Sequence, residues 1–261
     1  MIVDAHAHIF HRGMPLINKP RHRPGYDFLL EDYLRELDAN DIDYGVIAAA
    51  SPWGDFNDYT LECVGRTPRL RGTVILHPEK DYDLDAMSRH GIVGVRLPFI
   101  GLPELPDLTS DAWRRNLRRI ADQGWHVHLH VEGQHIPALL PHLENGGPRI
   151  VIDHLGRPSP EEGVGSPGYR AIVASVKAGK SWIKASCAYR IGPRAAEHFQ
   201  GFLAELGPER LFWASDCPFV GHEGELGYAD TLRWLEEQVA DAATRRLILG
   251  ENARRFYFEV P

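Results

Sequence analysis

Eight short apolar runs, spaced along the whole chain and separated by amphipathic stretches, constrain this sequence more than any other feature. They read MIVDAHAHI at 1–9, DYGVIAAAS at 43–51, RGTVILHP at 71–78, GIVGVRLPF at 91–99, WHVHLHVE at 125–132, PRIVIDHLG at 148–156, SWIKASCAYR at 181–190 and RLFWASDCPF at 210–219. Parallel strands covered on both faces look like this, as near-continuous β-rich runs. Several of the gaps carry helical spacing. Leu30, Tyr33, Leu34 and Leu37 fall on one face, as do Trp113, Leu117, Ile120 and Ala121, and again Leu232, Leu235 and Val239. Ser110-Asp111 offers a helix start, and Gly91 and Gly124 suit helix ends just before strands four and five. Strands alternating with helices imply right-handed βαβ units. Eight such units in 261 residues predict a (β/α)8 TIM barrel forming one domain over 1–261, with an open doubly wound sheet as the alternative. Residues 157–168 (RPSPEEGVGSPG) read as a long loop after the sixth strand.

Composition excludes several classes. The formal charge of −7 argues against a nucleic-acid binder. Cys63, Cys187 and Cys217 are odd in number and widely spaced, which suits a reducing compartment better than a disulfide scaffold. No apolar stretch approaches the roughly 18 residues of a membrane span. The first residues lack the basic start and apolar core of a secretory leader, so the expected location is the cytoplasm.

Chemistry in such a barrel gathers where the strands end, and here the expected strand ends are polar. They carry Asp4, His6 and His8; Arg96; His126, His128, His130 and Glu132; Asp153, His154 and Arg157; Arg190; and Ser215 with Asp216. Alternation places His6 with His8, and His128 with His130, on shared faces. A single histidine at a strand end is ordinarily structural. Six of eight strands offering His, Asp or Arg at the same end point instead to an active site. Asp4 reads as a group that orients the neighbouring histidines. GVGSPG at 163–168 matches a dinucleotide fingerprint only formally, because it follows no strand and Pro167 stands where a helix should begin. The basic loop LINKPRHRPG at 16–25 reads first as solvated, and second as a rim for an anionic substrate. Cys187 and Cys217 read as packing residues.

The opening DAHAH at 4–8, GVRLPF at 94–99, GWHV at 124–127, DHLGRP at 153–158, KASCAYR at 184–190, ASDCP at 214–218 and NARRFY at 252–257 together resemble the amidohydrolase superfamily. Within it the chain is similar to the branch of small TIM-barrel hydrolases and decarboxylases, and most of all to the 2-pyrone-4,6-dicarboxylate lactonase family. The resemblance implies a hydrolase that opens a lactone of a carboxylated small molecule. Asp216 would be the general base that activates water, and His6, His8 and His154 would polarise the carbonyl. Arg96, Arg157 and Arg190 would hold the substrate's acid, with His130 as a further substrate contact. Two departures follow from the same comparison. The second arginine that those lactonases carry after strand four is missing from FIGLPEL at 99–105, which implies a substrate other than the pyrone dicarboxylate, with fewer carboxylates. His130 replaces a tyrosine of the metal-independent lactonases. His6, His8, His130 and Asp216 would then suit one divalent metal, Zn²⁺ or Mn²⁺, with metal-independent catalysis the other branch. The rival readings are a metal-dependent decarboxylase of the same superfamily and a non-catalytic binder of an anionic metabolite. The expected partner is a small anionic substrate, not nucleic acid or membrane, and a homo-oligomer is left open.

Overall fold

The computed structural model describes residues 1–259. Eight parallel strands form one sheet in sequence order: β1 (Val3–Ala7), β2 (Tyr44–Ile47), β3 (Leu70–Val74), β4 (Ile92–Pro98), β5 (His126–His130), β6 (Arg149–Ile152), β7 (Ser181–Ala185) and β8 (Leu211–Trp213). The sheet closes on itself just beyond β8. The amide of His8 donates to Cys217 O at 2.8 Å, and that of Asp216 to His6 O at 2.9 Å. With helices following the strands, this is the (β/α)8 TIM barrel. The helices are α1 (Leu30–Ala39), α2 (Asp58–Gly65), α3 (Leu84–Arg89), α4 (Asp111–Asp122), α5 (Ile136–Gly146), α6 (Pro167–Lys177), α7 (Ala188–Ile191), α8 (Arg194–Leu206), α9 (Tyr228–Gln238), α10 (Ala242–Arg246) and α11 (Asn252–Tyr257). None is long and apolar enough to cross a membrane.

The pleat sorts each strand into two cores. Val127 and Leu129 of β5, Ile150 and Ile152 of β6 and Leu211 and Trp213 of β8 join the layer between sheet and helices, against residues such as Leu37, Leu117 and Leu235. Val46, Val151, Phe212 and Ala214 join a second cluster that includes Phe256 and Tyr257 of α11. His126 meets the same two residues, lying 5.1 Å from each ring, and His128 meets Tyr257, its Nε2 3.0 Å from Tyr257 Oη. Gly94 makes room for His126, since a Cβ there would lie 2.5 Å from its Nε2.

The predicted strands begin where the real ones do but run too far. The expected runs to 156, 190 and 219 end in fact at Ile152, Ala185 and Trp213. His154 sits in a helical turn after β6, Arg190 lies in α7, and Asp216 follows β8 in a loop. The polar ends leave the ladder because they are turned toward a pocket. The loop expected at 157–168 also ends early. Pro167 opens α6, with Ser166 Oγ accepting the Tyr169 amide at 3.3 Å. Proline needs no donor at a first helical position, so its presence there was no argument against a helix. Gly91 and Gly124 take positive φ just before β4 and β5, as expected. In β1 the register with β2 shifts between Asp4 and Ala7. Asp4 therefore meets Tyr33 of α1 and Tyr228 of α9, at 3.0 and 2.7 Å, whereas His6 meets Lys184 inside the barrel.

Candidate active site

The turns at the C-terminal ends of the strands hold residues in an unusual backbone state. His154, Arg157, Cys187 and Asp216 all have positive φ, between 46° and 65°. Non-glycine residues in this region each store about 1–3 kcal/mol, and such strain concentrates at functional sites. The turns point side chains into a cleft of about 630 Å³, counted to its open mouth. Seven of the expected site residues line it: His8, Arg96, His130, His154, Arg157, Arg190 and Asp216. His6, the eighth, is fully buried directly beneath.

Asp216 is the centre. Its Oδ1 faces three ring nitrogens, His8 Nε2 at 3.5 Å, His6 Nε2 at 3.6 Å and His154 Nε2 at 3.7 Å. Its Oδ2 accepts a 2.7 Å hydrogen bond from Tyr189 Oη, which in turn accepts from Arg190 Nε at 3.1 Å. Burial opposes ionisation of Asp216, but the facing His154, His8 and His6 outweigh it and hold the carboxyl well below the usual range. His154 is pushed down to about 3 by burial, against the pull of Asp216 and Asp153, so its ring is neutral at pH 7. His8 Nδ1 donates to Ala48 O at 2.7 Å, since a carbonyl can only accept. Its Nε2 faces the cleft and Asp216 Oδ1.

The arginines divide into two kinds. Arg96 is buried and spent: Nε donates to Asp153 Oδ2 at 2.9 Å, Nη1 to Ala49 O at 3.0 Å and Nη2 to His130 Nδ1 at 3.0 Å. Arg190 is partly spent on Tyr189 and on Val220 O. Among the described residues the Arg157 side chain hydrogen-bonds only Cys187 Sγ, at 3.9 Å. Arg21, from the loop that read first as solvated, lines the mouth with His22, and burial with the nearby Arg157 and Arg190 lowers its pKa. The loop is largely solvated, as its first reading has it, and Arg21 at the cleft mouth also stands where a basic rim would. Phe10, Pro24, Pro52, Trp53 and Val220 give the cleft an apolar wall, with the Phe10 and Trp53 rings stacked at 4.9 Å.

Donor atoms of His6, His8 and Asp216 lie within 4.8 Å of one another and could hold a metal ion. Imidazole nitrogens and a carboxylate are donors that Zn²⁺ and Mn²⁺ accept, so in kind and distance this trio fits. His130, the fourth member of the expected set, groups instead with Asp153 and His154.

Sequence reasoning passed over Lys184, Tyr189 and Ser186. Lys184 is fully buried, 3.1 Å from Asp153 Oδ1, and burial lowers its ammonium to about 8 although Asp153 opposes this. Ser186 Oγ meets His154 Nδ1 at 2.8 Å. The signal was present in KASCAYR, where Lys184 and Ser186 share a strand face and Tyr189 precedes Arg190. Asp4 proves to lie outside the barrel wall, held by Tyr33, Tyr228 and Ser215. Cys187 lines the cleft, but burial raises its thiol well above the ordinary value, which suits packing and not nucleophilic attack.

A model of the amidohydrolase family matches residues 3–258. The 4-sulfomuconolactone hydrolase of Hydrogenophaga intermedia is 26% identical over 270 residues, covering 98% of this chain and 88% of that protein. A Pseudomonas putida structure, provisionally named a 2-pyrone-4,6-dicarboxylic acid hydrolase, is 38% identical with a TM-score of 0.90, covering 100% and 98% of the two chains. A similarly named Acinetobacter baumannii structure with citric acid bound is 30% identical with a TM-score of 0.92, covering 98% of each chain.

Proposed function

The chain belongs to the amidohydrolase family, and from that premise we propose that it is a hydrolase opening a lactone of a carboxylated small molecule by general-base activation of water. One observation carries the reading: Asp216, ionised and ringed by His6, His8 and His154, stands in a cleft whose nearest uncommitted charges are guanidinium groups. We take residues 1–261 as one domain serving this one centre.

A water beside Asp216 Oδ1 gives up its proton as its oxygen adds to the lactone carbonyl, and Asp216 carries that proton toward the ring oxygen as the C–O bond breaks. His154, neutral and braced by Ser186, and His130, which accepts from Arg96 at Nδ1 and so keeps its proton on Nε2, are placed to donate to the developing oxyanion. His8 and His6 orient Asp216 from below. Arg157, Arg190 and Arg21 hold the acid group, with the planar fork that suits a carboxylate. Arg96 lines the floor, but with its donors spent it supports His130 and Asp153. The apolar wall of Phe10 and Trp53 takes a flat ring. When a divalent metal is bound, His6, His8 and Asp216 would hold it, and it would lower the pKa of its water to about 7. Three buried unpaired thiols support a reducing compartment, the cytoplasm.

The test is a panel of carboxylated and neutral lactones, followed by acid release, with Asp216→Asn alongside. Turnover of carboxylated lactones that disappears in the variant supports the reading. Carbon dioxide release from carboxylated substrates without lactone opening would overturn it in favour of a decarboxylase. Ligand-induced stabilisation with no turnover anywhere would leave a binding protein.

A further inference from the structure

The barrel floor holds a cation that the proposed reaction does not consume. Lys184 Nζ lies 2.9 Å from His6 Nδ1, 3.0 Å from His128 Nδ1 and 3.1 Å from Asp153 Oδ1. An ammonium has three N–H groups and accepts nothing. The two ring-nitrogen contacts are therefore donations, while Asp153 Oδ1 is held as an ion pair, and a ring nitrogen that accepts carries no proton. Neutral His6 and His128 must then bear their hydrogens on Nε2. For His128 this hydrogen meets Tyr257 Oη or His126 Nε2, at 3.0 and 2.9 Å. For His6 the consequence reaches the cleft. Its Nε2 stands 3.3 Å from His8 Nε2 and 3.6 Å from Asp216 Oδ1. A hydrogen there faces the Asp216 carboxylate. A lone pair there would face a carboxylate.

We propose that Lys184 is a positioning residue: by donating to His6 Nδ1 it makes His6 present a proton, and not a lone pair, to Asp216. The inference deepens the lactonase reading and rests on Asp216 being its base. The opposite tautomer has a place waiting. Asp153 Oδ1 lies 3.4 Å from His6 Nδ1 and has no aligned hydrogen bond of its own, only its ion-pair contacts. Without Lys184, the His6 proton moves to Nδ1 to face Asp153. The bare Nε2 then repels Asp216 and joins His8 Nε2 as a ready metal donor. Lys184 thus decides whether this corner orients a carboxylate or collects a cation.

The experiment uses the full chain labelled with ¹⁵N-histidine. Two-bond ¹H–¹⁵N correlation spectra report which ring nitrogen carries the proton, and the His6 signals are identified by their loss in His6→Asn. Wild type is expected to show His6 protonated on Nε2. Lys184→Met, which leaves Asp153 paired with Arg96, should show it on Nδ1. The variant's kcat should fall about 10–100-fold, the usual loss when a supporting partner is removed, with KM within about threefold. Its zinc uptake, measured by elemental analysis after dialysis against zinc chloride, should rise above wild type. A wild-type His6 protonated on Nδ1 overturns the proposal without any variant having to fold. A folded Lys184→Met with unchanged tautomer and unchanged kcat also overturns it. The tautomer is read without substrate, so its outcome stays separate from whether the protein opens lactones.

Discussion

Two tiers of charge share the barrel interior and differ in one respect. In the lower tier Lys184, Asp153, Arg96, His6 and His128 meet one another at 2.9–3.4 Å, and nearly every donor has an acceptor. In the upper tier Asp216, His8, His154, Arg157 and Arg21 face a cleft. Their distances to one another are longer, 3.5–3.7 Å around Asp216, and Arg157 has no acid partner among the described residues. Satisfied groups build a floor, whereas groups left short of partners are ready for a ligand. The same residue types serve both purposes, so type alone does not identify the chemistry.

The sharpest way to break this comparison is one substitution made in both tiers. Asp216→Asn should cost on the order of 10³-fold in kcat, in line with the loss of a general base. It should leave the melting temperature unchanged or raised, because Asn tolerates the positive φ at this position and the buried charge disappears. Asp153→Asn should do the reverse. It leaves Lys184 and Arg96 as two buried cations without their shared carboxylate, and breaking such a pair costs about 3–5 kcal/mol. Thermal unfolding and steady-state kinetics on both variants check this. An Asp216→Asn protein that is destabilised yet active would erase the distinction between the tiers.

The tiers were not equally legible. The upper one could be read from sequence because His8, His154, Arg157 and Asp216 sit where apolar runs give out, and a run that ends in polar residues is visible without a structure. Where those runs leave the sheet was not visible, because alternation continues on paper through His154 and Arg190 after the ladder has stopped. Of the lower tier, Arg96, His6, His128 and Asp153 stood in the same runs, but Lys184, which joins them, was hidden for a physical reason. A lysine inside a strand reads as solvent-facing, and Lys184 is buried only because His6, His128 and Asp153 arrive from three other strands to satisfy it. The register shift in β1 was equally silent, and it sent Asp4 to the helices while keeping His6 inside.

A smaller effect is read in pH, and both tiers share its cause, burial of neutral imidazoles. Burial holds His126 and His128 well below the ordinary histidine value, with Arg149 and Lys184 respectively adding to it. A folded-state pKa below the unfolded one means the unfolded chain binds the proton first as pH falls. Stability is therefore lost on going below about pH 6.5, at up to about 1.4 kcal/mol per pH unit for each such ring. Urea unfolding between pH 7 and 5 should show this slope. His126→Asn should flatten it by about one ring's share, and an unaltered slope would remove His126 from the account.

The smallest expected effect concerns Arg21, at the outer edge of the upper tier. Its side chain reaches the cleft from a loop that resembles any solvated basic segment, and no acid of the chain is paired with it among the described residues. An exposed ion pair is worth at most about 1 kcal/mol, so Arg21→Met should raise KM for anionic substrates only severalfold and leave kcat in place. Salt gives the more discriminating readout. At the cleft mouth the interaction is screened over about 10 Å at 0.1 M salt, so the wild-type advantage should shrink as ionic strength rises. Arg157→Met, deeper and better shielded, should keep its penalty. If both variants lose their effect equally with salt, the two arginines share one environment and the boundary between rim and pocket lies deeper than Arg157.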